Sequence, residues 1–65
     1  MASYKKNAWY KVYYRFRSDF SGEYFTTFVY RMNTDNNPDS IENTENFIKN
    51  SDDYTFVKTE EWIIK

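Results

Sequence analysis

Residues 9–17 read WYKVYYRFR, and the alternation inside this stretch decides the fold. Tyr10, Val12, Tyr14 and Phe16 are uncharged, whereas Trp9, Lys11, Tyr13, Arg15 and Arg17 set cations among rings. A period of two is the mark of a strand, whose successive side chains point to opposite faces. The aromatic and β-branched content favours a strand over a helix as well. One face of this strand is core. The other is a row of aromatics and cations.

The partner strand follows directly. Gly22, in DFSGE, is the one glycine of the chain, and it belongs where the backbone turns left-handed. A three-residue loop, Phe20-Ser21-Gly22, opened by Asp19, puts it at that position of a hairpin. The first strand is expected over 8–18 and the second over 23–33, with Arg17 opposite Phe25, Tyr14 opposite Phe28 and Val12 opposite Tyr30. One face then carries Tyr10, Val12, Tyr14, Phe16, Tyr24, Thr26, Phe28, Tyr30 and Met32, without a charge. The other carries Trp9, Lys11, Tyr13, Arg15, Arg17, Phe25, Thr27, Val29 and Arg31, with four cations and no acid. A slip of one residue exchanges the faces. A two- or four-residue loop would bring Arg31 into the core, so three is the preferred length.

Beyond the hairpin, NTDNNPDS (33–40) is a loop of turn formers that Pro38 keeps out of any strand. Asp39, with Glu42 three residues on, reads as a capping box. The helix is expected over 40–49, with Ile41, Thr44, Phe47 and Ile48 inward and Glu42, Glu45, Asn46 and Lys49 outward. Asn50 ends it. A third strand is expected over 54–59. EEWIIK either continues it or forms a short fourth, and Glu60-Glu61 permits a bulge. Residues 1–7, basic through Lys5 and Lys6, read as a flexible arm. The expected fold is one small α+β domain over 1–65. Its antiparallel sheet has three to four strands in the order β-β-α-β, and one helix packs on the uncharged face.

A chain of 65 residues buries only about 60% of its unfolded surface, so its core needs help. With no Cys and no His, disulfides, thiolate–zinc sites and the commonest metal ligand are absent. The help comes from rings, since 23% of residues are aromatic and each buries on the order of 150–250 Å². Self-association would add more. No apolar run approaches the roughly 18 residues of a membrane span, and MASYKKNAWYKVYYRFR has no apolar signal core. The expected location is cytoplasmic. Phe, Tyr, Met, Ile, Asn and Lys make up 32 residues, whereas Gly, Ala, Arg and Pro make up 7. That bias points to an AT-rich genome, such as a low-GC bacterium, its phage or a mobile element.

Catalysis is disfavoured. There is no His base, no Cys nucleophile, no serine elbow and no glycine-rich phosphate loop. The adjacent acids Asp52-Asp53 and Glu60-Glu61 read as solvated. Asp35, Asn37 and Asp39 imitate the opening of a calcium loop. However, Ser40 stands at its glycine position, Asn46 at its glutamate position and Pro38 inside it, so neither a metal nor a cofactor is expected.

The working surface is expected to be the charged face, Trp9, Lys11, Tyr13, Arg15, Arg17, Phe25, Val29 and Arg31. Trp, Tyr and Arg are enriched at interface hot spots, and one helix cannot cover both faces of a sheet. The expected role is a non-enzymatic interaction module, a homodimer that binds and inhibits or regulates a host protein. The alternative is nucleic acid, with Lys and Arg on phosphates and rings on bases. Residues 1–34 carry a net +4 and 35–65 a net −5, so a basic surface lies beside an acidic one.

Overall fold

The computed structural model describes residues 4–63. Strands β1 (Trp9–Arg17) and β2 (Tyr24–Met32) are followed by helix α1 (Ser40–Asn50) and strand β3 (Tyr54–Glu61). The three strands form one antiparallel sheet in the order β2-β1-β3. The small α+β architecture expected from the sequence is therefore the one found. Glu60 and Glu61 continue β3, and no fourth strand exists among the described residues.

The hairpin register differs from the expected one by one residue. Arg17 lies opposite Tyr24, Tyr13 opposite Phe28 and Val12 opposite Val29. The loop has four residues, 19–22, closed by Ser18 N–H donating to Glu23 O at 2.8 Å and Gly22 N–H donating to Ser18 O at 2.7 Å. Ser18, not Asp19, organises it, because its Oγ accepts the amides of Phe20 and Ser21. Gly22 has φ +76°, as its position demands. The left-handed residue closes a three-residue and a four-residue loop alike, so the glycine alone does not select the length.

The slip exchanges the faces of β2. Phe25, Thr27, Val29 and Arg31 lie beside Phe16, Tyr14, Val12 and Tyr10, on the side that receives the helix. Tyr24, Thr26, Phe28, Tyr30 and Met32 lie beside Arg17, Arg15, Tyr13, Lys11 and Trp9. Arg31 is accommodated because β2 is an edge strand. Its side chain stays exposed, with Nε donating to Thr44 Oγ1 at 3.0 Å.

β3 contains a bulge. Tyr13 pairs with Lys58 and Tyr14 with Phe56, which leaves Val57 as the extra residue. The bulge falls at Val57, not at Glu60-Glu61. It shifts the alternation so that Phe56 and Thr59 both face the helix while Lys58 and Glu60 face away.

The core is small: Tyr10, Val12, Ile41 and Ile48 are buried, with Tyr4, Ala8, Tyr14, Val29 and Phe56 packed around them. Phe47 is not part of it and is 67% exposed. At 3.6 residues per turn it sits about 120° around the helix from Ile41. The inward stripe is Ile41, Thr44, Glu45 and Ile48, so Glu45 is buried rather than wet. Its carboxylate accepts the Tyr4 hydroxyl at 2.5 Å and also the Thr59 hydroxyl.

Asp39 makes no side-chain cap. The cap comes from Asn33, buried at the end of β2, whose Oδ1 accepts the Ile41 amide at 2.9 Å. Residues 4–7, part of the expected flexible arm, make contacts with the sheet and with Asn33. Lys6 bridges to Asn33, and Asn7 N–H donates to Asn33 O at 2.7 Å. Tyr4 packs edge-on against Tyr10 at 5.0 Å, and Lys5 N–H donates to the Tyr10 hydroxyl. Residues 1–3 of that arm, and 64–65 of the final segment, lie outside the described residues.

Candidate interaction face

With the helix on one side, the opposite face of the sheet is left open. β1 sends Trp9, Lys11, Tyr13, Arg15 and Arg17 to it, β2 sends Tyr24, Thr26, Phe28, Tyr30 and Met32, and β3 sends Thr55, Lys58 and Glu60. Trp62, just past β3 with its amide bonded to Trp9 O at 2.9 Å, joins the same surface.

The rings form a connected group. Trp9 meets Tyr30 at 6.3 Å, Tyr30 meets Phe28 at 5.2 Å, and Phe28 meets Tyr13 at 5.4 Å. Trp62 closes on Tyr30 at 5.0 Å. These separations are those of favourable aromatic pairs; Trp9–Tyr30 and Tyr30–Phe28 are edge-to-face and the other two are tilted. The cations lie over the rings. Lys11 Nζ is 4.8 Å from the Phe28 centroid and 5.9 Å from that of Trp62. Lys58 sits 5.0 Å over Tyr13, and the Arg15 guanidinium 5.3 Å over Tyr24. Such placement holds the charges in position.

The face carries Lys11, Arg15, Arg17 and Lys58 against Glu60. Lys58 pairs with Glu60 at 3.3 Å. Lys11, Arg15 and Arg17 have no carboxylate partner among the described residues. At the hairpin end the face runs into an open cleft of about 860 Å³, bordered by Arg15, Arg17 and Tyr24, with Asp52 and Asp53 on its far side. Among the described residues no group of three or more His, Cys, Asp or Glu is placed to hold a metal, and no helix is long and apolar enough to cross a membrane.

Of the residues singled out in the sequence, Trp9, Lys11, Tyr13, Arg15 and Arg17 come together on this face. Phe25, Val29 and Arg31 do not. Phe25 lies against Phe16 at 6.0 Å, Val29 packs on the core, and Arg31 bonds Thr44, all on the helix side. Tyr24, Phe28 and Tyr30 take their places, joined by Lys58 and Trp62. The missed residues follow from one error, the loop length. A four-residue loop puts Tyr24, Phe28 and Tyr30 of β2 beside the cations of β1 and leaves Phe25 on the helix side.

Comparison with known proteins finds no matching family model, no similar curated protein and no similar solved structure.

Proposed function

We propose that this chain is a non-enzymatic interaction module that docks its open sheet face onto an acidic surface of a partner protein. One observation carries the reading: the face gathers Trp9, Tyr13, Tyr24, Phe28, Tyr30 and Trp62 with four cations and a single acid, and no element among the described residues covers it. Exposed aromatic patches of this kind mark interaction sites, and Trp, Tyr and Arg anchor them. The lysines add a condition. Covering Lys11 without a counter-charge is costly, so the partner brings carboxylates to Lys11, Arg15 and Arg17. The AT-rich composition fits a phage or mobile-element origin. The partner is then a host protein in the host cytoplasm, inhibited or regulated by masking of its acidic surface.

Single-stranded nucleic acid is the second reading. It is favoured by the run of cations along β1 beside stackable rings. Both tryptophans of the chain lie on the face, so intrinsic fluorescence reports its occupancy. The test pairs two measurements. Affinity capture from host lysate is run with the wild-type chain, with Trp9→Ala and Tyr13→Ala, and with Phe47→Ala on the far side. Capture is expected to survive Phe47→Ala and to be lost in the other two; equal capture by all four sinks the reading. An oligothymidylate titration is then followed by tryptophan fluorescence at about 50 and 200 mM salt. Quenching that disappears at the higher salt transfers the face to nucleic acid.

A further inference from the structure

The sheet has two edges, and the chain treats them differently. The outer edge of β3 is blunted by the bulge at Val57 and by Lys58 and Glu60, the usual devices against unwanted pairing. The outer edge of β2 has no such device over 24–28. That segment reads YFTTF, with no charge and no proline, and its register with β1 is unbroken.

The hairpin closure fixes which backbone groups are free. Ser18 N–H donates to Glu23 O, so the odd-numbered residues of β2 bond β1, and the N–H and C=O of Tyr24, Thr26 and Phe28 point outward. Further along, the Arg31 guanidinium donates to the outward C=O of Tyr30 at 2.7 Å and closes the edge there. The open stretch is therefore short and centred on Thr26. Tyr24, 63% exposed, and Phe25, 45% exposed, flank it on opposite faces.

We infer that this edge pairs with the same edge of a second copy of the chain, antiparallel about a twofold axis at Thr26. The stretch is self-complementary in that register. Thr26 faces its own copy, Tyr24 faces Phe28 and Phe25 faces Thr27, which are pairs that stabilise neighbouring strands. The nearest charge, Glu23, falls opposite Val29, so no like charges meet. An isologous contact of this kind closes on itself and leaves no further free site. It joins two sheets into one and sets the two open faces side by side, still uncovered. The inference thus stands independently of what the open face binds.

Sedimentation equilibrium of the full chain tests it. The expected mass is twice the 8.0 kDa of one chain, falling by half in Thr26→Pro and in Thr26→Lys. The Thr26 amide points away from β1, so proline there removes no bond of the native ladder. Lysine sets like charges across the axis. Amide exchange adds a direct reading: the Thr26 and Phe28 amides are protected in the wild-type chain and exchange quickly in both variants. A wild-type chain of single mass with a fast Thr26 amide overturns the inference, as does a dimer that both variants leave intact. If circular dichroism shows both variants unfolded, wild-type exchange decides alone: protection at Thr26 supports the pairing and fast exchange overturns it.

Discussion

Glu45 is the residue whose environment differs most from its chemistry. It sits on the buried stripe of α1, where a carboxylate survives only when its lone pairs are used. The hydroxyls of Tyr4 and Thr59 both donate to its Oε2. Burial, reinforced by the hydrogen bond to Glu45, pushes the Tyr4 hydroxyl above its ordinary pKa of 10.0. The folded state therefore holds this proton more tightly than the unfolded chain. The stabilisation is complete below about pH 10 and is lost as pH rises through the raised value. Tyr4→Phe is expected to lower the urea midpoint at neutral pH, and its deficit relative to wild type should shrink as pH climbs past 10; a pH-independent deficit would mean that the proton plays no part. The same stripe separates two apolar residues. Ile41 is fully buried and Phe47 largely exposed, so Ile41→Ala should cost about 2–5 kcal/mol. Phe47→Ala should stay within about 0.5 kcal/mol. Denaturant unfolding of the two variants measures the contrast.

The elements owe their ends to residues distant in sequence. α1 begins where Asn33, at the far end of β2, offers its Oδ1 to the Ile41 amide, while Asp39 at the adjacent position makes no such bond. Asn33→Ala should therefore cost about 1–2 kcal/mol and Asp39→Ala little. For a domain of this size, each kcal/mol lowers the melting temperature by roughly 4–8 °C. Equal melts for the two variants would show that Asn33 does not cap the helix. Asn33 also receives the Asn7 amide on its backbone oxygen, so one buried side chain and its carbonyl join the N-terminal segment, β2 and α1. The bulge at Val57 has a comparable effect on β3. It brings Thr59 into phase with Phe56, so that Thr59 reaches Glu45.

At the scale of the whole molecule, charge is sorted by face. The open side of the sheet carries Lys11, Arg15, Arg17 and Lys58 against Glu60. The helix side and its loops carry Asp35, Asp39, Glu42, Asp52 and Asp53 against Arg31 and Lys49. An acidic partner is thereby steered to one side, and its association rate should fall as salt rises. Lys11→Gln should slow that association several-fold and lower the melting temperature only slightly, since Lys11 has no ion-pair partner to lose among the described residues and gives up only its contacts over Phe28 and Trp62. Stopped-flow tryptophan fluorescence with the captured partner measures this, and an unchanged rate would remove charge from the recognition.

The element order, the centres of β1, β2 and α1, the hairpin glycine and the odd-numbered half of the open face are legible in the chain itself. Each of these rests on local periodicity or on the backbone freedom of one residue, and both are written within a few positions. The rest depends on contacts across the fold. The loop took a fourth residue because an edge strand lets Arg31 escape to solvent, and local pattern does not reveal that a strand is an edge. That choice sent Phe28 and Tyr30 to the open face and Phe25 and Val29 to the helix. The buried place of Glu45 and the cap from Asn33 depend on Tyr4, Thr59 and Ile41 meeting them across the fold. Such partners are near in space but distant along the chain, and the periodicity of one element carries no information about what faces it.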